Sequence, residues 1–301
     1  MITVKGLRKS YGDLEAVRGI DLEVERGEVF AFLGPNGAGK TTTVEVLEGY
    51  RDRSAGDVSV LGVDPGTASR NWRGRIGIVL QQSRMHPELT VRETIELFAG
   101  YYPHPRPVGE TIERVGLAPK TEDRINRLSG GQQRRLDVAL ALIGDPELLF
   151  LDEPTTGFDP TARRRAWELV ADLRELGKTI FLTTHYMEEA QVLADRVAII
   201  VGGRIVIEGT PDRLGERAAT VEIRFRLPEG VSPSELPVPV DGDGRFVVAS
   251  TGEPVRALNE LTGWALGRGL DLPGLQVAAP SLEDVYLEVT ADPERAEGPK
   301  S

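Results

Sequence analysis

The sequence predicts an α/β fold whose core is a mainly parallel β-sheet. Three apolar runs of strand length support this prediction, at residues 29–33, 147–151 and 178–184. The first two are followed by segments whose apolar residues have helical spacing, at 42–48 and 160–177. Buried strands that alternate with helices are typical of α/β proteins with a parallel sheet. Functional side chains are therefore expected where these strands end.

A second β region is expected near the N terminus, ahead of the first core strand. Residues 2–7 and 20–25 have strand-like composition and are separated by turns. Residues 57–61 and 76–80 are two further predicted strands. We expect the N-terminal strands to form an antiparallel β region beside the core sheet.

A glycine-rich turn joins the first core strand to its helix and fits the pattern G-x-x-x-x-G-K-[ST]. Glycines allow main-chain N–H groups to surround phosphate oxygens, and the helix N-terminus adds partial positive charge. Lys40 is expected to lie against the β- and γ-phosphates, and the Thr41 hydroxyl to ligate Mg²⁺. A chance match is possible for such a turn, but its position between strand and helix favours nucleoside triphosphate binding. The loop consists of Gly34, Pro35, Asn36, Gly37, Ala38, Gly39, Lys40, Thr41 and Thr42.

Two acidic residues, Asp152 and Glu153, follow the apolar part of the second core strand. Adjacent side chains on a strand point in opposite directions, so we expect the two carboxylates to have different roles. Asp152 suits the Mg²⁺ shell, and Glu153 suits polarising a water molecule for attack on the γ-phosphate. The alternative is a pair of loop acids that cap the next helix.

Three other positions are candidates whose sequence context leaves two interpretations open. Tyr11 could stack on adenine or simply pack beside a turn. The pair Gln81-Gln82 ends a predicted strand and could reach Mg²⁺ and the attacking water, or face solvent. His185 follows the third core strand and could reach the γ-phosphate, or be a satisfied core residue.

The middle of the chain is predicted to be helical. Regular apolar spacing indicates a helix over residues 91–102, and another begins near 109 after a proline-rich interruption. Ser129 is a good N-cap for a third helix. Gly130 and Gly131 would then expose N–H groups at its N-terminus, which could contact a second anion.

The chain changes character near residues 211–220, after a predicted hairpin at 197–207. An alternating strand at 221–226 and a helix at 253–267 indicate a small α+β region, and a last helix starts near residue 281. The expected domains are a main domain at 1–215 with a helical subdomain at about 82–145, a small α+β domain at 220–290 and a disordered tail at 291–301.

Composition excludes several classes of function. Over 301 residues the net charge is −11, which argues against nucleic acid or an anionic membrane surface as the main partner. The run Arg163-Arg164-Arg165 lies on a predicted helix and is expected to be a solvated face. There is no cysteine, so disulfides and thiolate metal sites are excluded. No apolar run approaches the roughly 18–20 residues of a membrane span. We expect a cytoplasmic protein that is peripheral on the inner face of the cell membrane, held there by a partner.

Residues 2–215 resemble the ATP-binding cassette of ABC transporters. The resemblance is specific because a whole set of motifs occurs together and in the family's order along the chain. The members of the set are GPNGAGKTT at 34–42, the signature LSGGQ at 128–132, LLFLDEP at 148–154, Asp159 and His185. The segments 47–50 and 281–286 further resemble bacterial drug-resistance exporters of the daunorubicin type, in which the ATPase and the membrane subunit are separate chains. One departure is Phe158, where the family usually has leucine.

The resemblance implies that two cassettes bind two ATP molecules head to tail. Each nucleotide would lie between the phosphate loop of one copy and the signature segment of the other. The implied signature contacts are Ser129, Gly130, Gly131 and Gln132, and the implied Mg²⁺ ligands are Thr41, Gln81 and Asp152. The other implied roles are adenine stacking for Tyr11, catalysis for Gln81, Glu153 as base and His185 as switch histidine, and communication between the two sites for Asp159.

The favoured function is the ATP-hydrolysing motor subunit of an exporter of drugs or other hydrophobic compounds, with ATP and Mg²⁺ as cofactors. The expected partners are a second cassette, as a homodimer or a paired chain, and a separate membrane permease that docks near residues 82–102. Met85, Pro87 and Leu89 offer a small apolar patch there, and no nucleic-acid partner is expected. The alternatives are a soluble ABC ATPase acting on ribosomes or DNA, which usually has two cassettes or long coiled-coil insertions, and a non-hydrolysing regulator.

Overall fold

The chain divides into two compact units, Met1–Thr210 and Pro211–Asp292. The computed structural model describes residues 1–80, 86–217, 221–242, 246–278 and 282–291. The strands are β1 (Ile2–Tyr11), β2 (Leu14–Val24), β3 (Val29–Leu33), β4 (Ala55–Val60), β5 (Ile76–Val79), β6 (Leu148–Asp152), β7 (Thr179–Thr184), β8 (Arg196–Val201), β9 (Arg204–Gly209), β10 (Val221–Arg226), β11 (Phe246–Thr251) and β12 (Gln276–Ala278). The helices are α1 (Lys40–Leu47), α2 (Arg70–Arg73), α3 (Val91–Ala99), α4 (Val108–Arg114), α5 (Gly130–Leu142), α6 (Pro160–Glu175), α7 (Met187–Leu193), α8 (Pro211–Arg217), α9 (Pro254–Gly267) and α10 (Leu282–Ala291).

Six strands of the first unit form the core sheet, in the order β5-β6-β7-β3-β8-β9. The first five are parallel, and β9 returns antiparallel to β8 as the predicted hairpin. Strands β3, β6 and β7 are buried along almost their whole length. Their continuous apolar sequences are explained by this burial, since both faces of a parallel sheet are covered. The predicted mainly parallel core is confirmed.

Alternate residues of β6 and of β7 enter two different apolar layers, as the two-residue period of a strand requires. In β6, Leu149 and Leu151 pack in the layer that contains residues of α5 and α6. Leu148 and Phe150 pack in the opposite layer, with residues of α1 and the N-terminal strands. In that second layer the rings of Phe150 and Phe181 have their centroids 5.8 Å apart. The carboxyl ends of these strands are thus held by packing on both faces.

The N-terminal strands form a separate antiparallel sheet in the order β2-β1-β4, as the sequence predicts. The helices α3, α4 and α5 lie between β5 and β6 in the chain. The predicted N-cap at Ser129 is present, because its Oγ accepts a hydrogen bond from Gln132 N and Gln132 Oε1 accepts one from Ser129 N. Three helices were not predicted, namely α2, α7 and α8. They have only four to seven residues, so each offers few positions in which a helical period could be recognised.

The second unit contains a three-stranded antiparallel sheet in the order β11-β10-β12. Ile223 and Phe225 on one face of β10 pack in one buried cluster with Leu261 of α9. Helices α8 and α10 pack against each other. The predicted small α+β architecture is present; residue 281, where the last helix was expected to begin, and residues 292–301 lie outside the described residues.

Candidate active site

The candidate active site lies at the edge where β6, β7 and β3 end. These strands are neighbours and parallel, so the segments that follow them meet at one edge of the sheet. The phosphate loop follows β3, Glu153 follows β6, and His185 follows β7. Lys40, Glu153 and His185 together line a cavity of about 600 Å³, which we call the phosphate-loop cavity. Sheet topology therefore brings three of the predicted site residues together.

Two glycines of the phosphate loop are required by close contact with neighbouring backbone. A Cβ atom at Gly34 would lie 2.3 Å from Ile200 O, and one at Gly39 would lie 2.6 Å from Ala16 O. Gly39 also has a φ of 107°, which residues with a side chain rarely adopt. Gly39 is the N-cap of α1, so the loop leads directly into that helix. The main-chain N–H groups at the start of α1 are thus available to phosphate oxygens.

Lys40 is buried at the start of α1, with 6% of its surface exposed. Its Nζ donates hydrogen bonds to Gly34 O at 2.7 Å and to Pro35 O at 3.2 Å. Burial lowers the pKa of Lys40, and the negative charges of Glu153 and Asp152 oppose that shift. Main-chain carbonyls carry only partial charges, so this ammonium group gains from a full negative charge such as a phosphate. The loop and its lysine fit the phosphates of a nucleotide.

Asp152 is the last residue of β6, where the sequence predicts it. Its Oδ1 accepts a hydrogen bond from Thr183 Oγ1 on the neighbouring strand β7. Thr41 is exposed in the first turn of α1 and lines the phosphate-loop cavity. A carboxylate and a hydroxyl beside a phosphate site fit Mg²⁺, which takes few protein ligands and completes its shell with phosphate and water oxygens. Gln81, the third predicted ligand, lies outside the described residues.

Glu153 differs from expectation in its backbone. The strand ends at Asp152, and Glu153 has a φ of 45°, in the left-handed region. This turn, and not the alternation of a strand, therefore separates the two carboxylates. Glu153 N donates to Thr183 O and to Thr183 Oγ1, each at 3.1 Å, which fixes the turn. Its Oε2 accepts a hydrogen bond from Thr156 Oγ1 at 3.0 Å, and its Oε1 lies 3.4 Å from His185 Nδ1. Strained residues of this kind cluster at functional sites.

The signature segment lies in a different cavity of about 800 Å³, which we call the signature cavity. Its lining includes Ser129 to Gln132, Asp159 and part of α6. Asp159 is the N-cap of α6, since its Oδ1 accepts a hydrogen bond from Ala162 N at 2.9 Å. Within the described part of the chain, no residue of 128–132 lines the phosphate-loop cavity. Both cavities include Glu153 and Thr156, so they adjoin at the loop after β6.

Arg134 is a contributor that was not predicted from the sequence. This residue of α5 is 9% exposed and donates to three main-chain carbonyls, those of Leu80, Asp152 and Pro154. It therefore ties the helix of the signature segment to the ends of β5 and β6. Its pKa is lowered by burial, which negative charges nearby oppose. The sequence offered one indication of this role, which is that Arg134 lies in α5, the helix that begins at the signature segment.

Tyr11 lies at the end of β1 with 39% of its surface exposed, and the phosphate-loop cavity is lined by Ala16 rather than by Tyr11. Lys9 Nζ and Arg51 Cζ each lie 5.2 Å from the centroid of the Tyr11 ring. These cation–π contacts orient the ring. Adenine stacking on Tyr11 stays a prediction.

A parallel sheet, a glycine loop with a buried lysine and two carboxylates at the neighbouring strand end define a phosphate-loop nucleoside triphosphatase. The sequence matches the ABC transporter family over residues 17–156. It matches the C-terminal domain of ABC transporter domain-containing protein-like sequences over residues 221–281.

Two curated relatives extend the similarity over almost the whole chain. The chain is 39% identical to the daunorubicin resistance ATP-binding protein DrrA3 of Streptomyces coeruleorubidus, over 98% of this chain and 97% of that protein. It is 42% identical to the Nod factor export ATP-binding protein I of Rhizobium sp. (strain N33), over 96% of both chains. The predicted resemblance to exporters of the daunorubicin type is confirmed.

Solved structures agree with this result. One is a dimeric post-hydrolysis state of the ATP-binding cassette MJ0796 bound to ADP and Pi, with a TM-score of 0.63 and 26% identity over 70% of this chain and 98% of that chain. Another is cbiO1 from Clostridium perfringens, part of the ABC transporter complex cbiONQ, with a TM-score of 0.65 and 29% identity over 71% of this chain and 89% of that chain.

The chain belongs to the ATP-binding subunits of ABC transporters and is an ATPase. Cassettes of this family function as dimers. Among the helices of residues 1–80, 86–217, 221–242, 246–278 and 282–291, none has both the length and the apolar character needed to cross a membrane.

Proposed function

We propose that this chain is the motor subunit of an exporter and drives a separate membrane permease by hydrolysing ATP. One observation carries the proposal: relatives named for drug resistance and for Nod factor export align with nearly the whole chain, including its second unit. The exported compound would be a drug-like or otherwise hydrophobic molecule. The protein would act at the inner face of the cell membrane, held there by the permease.

The phosphate-loop cavity would bind the triphosphate of ATP. The loop from Gly34 to Thr42 would surround the β- and γ-phosphates with main-chain N–H groups, and Lys40 Nζ would move from carbonyl to phosphate oxygens. The burial of Lys40 supports this role, because a buried ammonium group is strongly stabilised by an anion. Tyr11 would provide a ring on which adenine stacks.

Thr41, Asp152 and Gln81 would hold Mg²⁺ beside the phosphates. The ion, when bound, would neutralise charge that develops on the transferred phosphoryl group. The hydrogen bond from Thr183 to Asp152 Oδ1 supports the role of Asp152, because it fixes the carboxylate at the strand end. Support of this kind around a metal ligand is a common feature of metal sites.

Glu153 would act as the general base that orients water for attack on the γ-phosphate. Its carboxylate lies in the same cavity as Lys40 and is held by Thr156. His185, with its Nδ1 3.4 Å from that carboxylate, would contact the γ-phosphate and the water on the other side. The short distance between Glu153 and His185 supports a shared task, since both are positioned to act on the same atoms.

Each hydrolysing site would be completed by a second copy of the chain. The start of α5, from Ser129 to Gln132, exposes helix N–H groups that suit an anion, but it faces the signature cavity of its own chain. In a head-to-tail dimer this segment would contact the γ-phosphate held by the partner's phosphate loop. Asp159, which opens α6 beside the same cavity, would communicate between the two sites.

The permease would dock on the segment 82–102. Met85 of the predicted patch lies outside the described residues, Pro87 is exposed and Leu89 is half-buried. Leu97 of α3 and Tyr101 beyond it add larger apolar surface, with 46% and 62% exposed. Exposed apolar side chains that are close in the sequence support a protein contact in this segment.

The test is recovery of the tagged chain from detergent-solubilised membranes of the producing cells. A protein with several membrane-spanning helices should co-purify, and crosslinks should map to residues 86–102. Leu97→Asp with Tyr101→Asp should lose the partner but keep ATP binding, while Val192→Asp, at an equally exposed apolar residue of α7, should keep both. Crosslinks found only at residues 221–291 would contradict the docking site, and a purely soluble complex with ribosomes or DNA would contradict the transport function.

A further inference from the structure

Glu189 is a buried acid that the proposed reaction does not use. It lies on α7, four residues after His185, and none of its surface is exposed. Its Oε1 accepts a hydrogen bond from Trp167 Nε1 at 3.2 Å. Within the described residues its Oε2 has no hydrogen-bond partner. Carboxylates are rarely buried to this extent without a specific reason, because burial disfavours their charge.

The groups around Glu189 belong to three segments that also carry site residues. Thr155 lies two residues after Glu153, and Thr184 lies immediately before His185. The hydroxyl groups of both threonines lie near the Glu189 carboxylate and lower its pKa, although Thr155 Oγ1 falls short of a regular hydrogen bond. The third segment is α6, which Asp159 opens and which supplies Trp167.

Arg163, also on α6, adds a positive charge to this cluster. Its guanidinium carbon lies 4.2 Å from the centroid of the ring of Tyr186, the residue that follows His185. Its charge lowers the pKa of Glu189 against the opposing effect of burial, which is the larger of the two. Its Nε, like Glu189 Oε2, is shielded from solvent and has no hydrogen-bond partner in the described chain. Arg163 is therefore not part of the solvated face that the sequence predicts for residues 163–165.

A purely structural role for Glu189 would be filling space between α6 and α7. Leucine or methionine would fill that space without burying a carboxylate, although the indole N–H of Trp167 would lose its acceptor. The carboxylate instead faces polar groups from all three segments. This arrangement links the loop after β6, the end of β7 and the start of α6 through one side chain.

We propose that Glu189 is a positioning residue for hydrolysis. Fixed to α6 by its hydrogen bond with Trp167 and lying near Thr155 and Thr184, it keeps the loop of Glu153 and the strand end of His185 in place relative to each other. The 3.4 Å distance between Glu153 Oε1 and His185 Nδ1 is the geometry that it maintains. This inference rests on the proposed roles of Glu153 and His185, and it adds a residue that contacts neither nucleotide nor water.

The test is a comparison of variants in steady-state ATPase assays and ATP-binding measurements on the full chain. Glu189→Leu should lower kcat by about tenfold or more, since small displacements of catalytic groups have effects of that size, and should change the Kd for ATP less than about threefold. Glu189→Gln keeps an acceptor for Trp167 and should recover part of kcat. Glu188→Leu, the same change at the exposed neighbour on α7, should leave kcat and Kd as in the wild type.

A control for stability comes from the same helix. Leu193→Ala removes buried apolar contacts of α7 without touching the polar cluster, and it should lower the melting temperature but leave kcat of the folded protein unchanged. An equal loss of kcat in Leu193→Ala would overturn the proposal, because loosening of α7 alone would then explain the effect. Wild-type kcat in folded Glu189→Leu would also overturn it.

Two smaller changes keep the proposal testable if Glu189→Leu does not fold. Thr155→Val and Trp167→Phe each remove one polar partner, and each should lower kcat while leaving the Kd for ATP in place. Wild-type kcat in both would overturn the inference. Full activity of Glu153→Gln would instead contradict the proposed site itself, so the two failures are distinguishable.

Discussion

The phosphate-loop cavity and the signature cavity adjoin at Glu153 and Thr156, yet their chemistry differs. The first contains a buried cation, Lys40, and a helix start whose glycines are required by close backbone contacts. The second contains a capped helix start at Ser129 and three arginines, Arg134, Arg135 and Arg165, but no lysine among its described lining residues. The first cavity has the glycine loop and the buried lysine of a triphosphate site, whereas the second has another set of anion-binding N–H groups beside arginine side chains.

This difference agrees with the proposal that one chain supplies half of a hydrolysing site. Both cavities use helix N-termini, and the start of α1 also carries the buried Lys40, whose ammonium group lies within the phosphate loop of the same chain. In the proposed dimer, the signature segment would contact the nucleotide that the partner's phosphate loop holds. Variants on the two sides should therefore fail in different ways.

The largest effect is expected on the phosphate-loop side, from Lys40→Ala. Removing the buried cation leaves phosphate charge uncompensated, so affinity for ATP should fall by more than about 100-fold. Fluorescence or calorimetric titration with ATP measures the loss. Lys120→Ala, which removes a surface lysine paired with Asp123, is the matched control and should bind normally. Wild-type affinity of Lys40→Ala would mean that this cavity is not the ATP site.

On the signature side, Ser129→Asp should reduce turnover and leave ATP binding to the single chain intact. Aspartate keeps the N-cap of α5, so folding is retained, but its charge opposes the phosphate that the segment would meet across the dimer. We expect turnover to fall by roughly 100-fold with an unchanged melting temperature. Ser129→Thr keeps the hydroxyl and should remain active. Weaker ATP binding by monomeric Ser129→Asp would contradict the assignment of the two cavities to different copies of the nucleotide site.

Most of this organisation could be predicted from the sequence, because local patterns specify it. Apolar runs, the glycine loop and the N-cap at Ser129 depend on neighbours in the chain, and the structure agrees with them. What could not be predicted depends on contacts between distant segments. The left-handed turn at Glu153 is set by Thr183 of β7, and the clusters of Arg134 and Glu189 form only when helices pack on strand ends.

Tyr11→Ala separates base binding from phosphate binding within the phosphate-loop side. Loss of one stacked ring should weaken ATP binding by about tenfold, while the affinity for tripolyphosphate, which has no base, should not change. Tyr11→Phe keeps the ring and should bind ATP normally. An equal loss of affinity for tripolyphosphate would show that the residue only supports the fold of the loop.

A further prediction concerns stability rather than binding or turnover and involves Glu48, a buried acid at the C-terminal end of α1. Burial, together with the charges of Asp152 and Glu45, raises its pKa from 4.5 to about 8. The folded state therefore keeps a proton that the unfolded state loses. The contribution of Glu48 to the free energy of unfolding decreases as pH rises from about 4.5 to 8. The loss is at most about 5 kcal/mol.

Glu48→Gln should remove that pH dependence. The variant and the wild type should have similar melting temperatures near pH 4.5, and the variant should melt several degrees higher at pH 8.5 in the absence of nucleotide. Scanning calorimetry at both values measures the difference. A wild-type protein that is more stable at pH 8.5 than Glu48→Gln would reverse the sign and contradict the assigned burial effect.

The most direct test of the shared site uses Glu153→Gln, which keeps the shape of the side chain and removes its charge. Turnover should fall by roughly 10²–10⁴-fold, while ATP should still bind, because binding depends on the phosphate loop. Unhydrolysed ATP held between two copies should stabilise their association by mass action. Size-exclusion chromatography should therefore give a dimer with ATP and Mg²⁺, a monomer with ADP, and a monomer with ATP when Ser129→Asp is added. A Glu153→Gln protein that binds ATP and stays monomeric at high concentration would contradict the shared site.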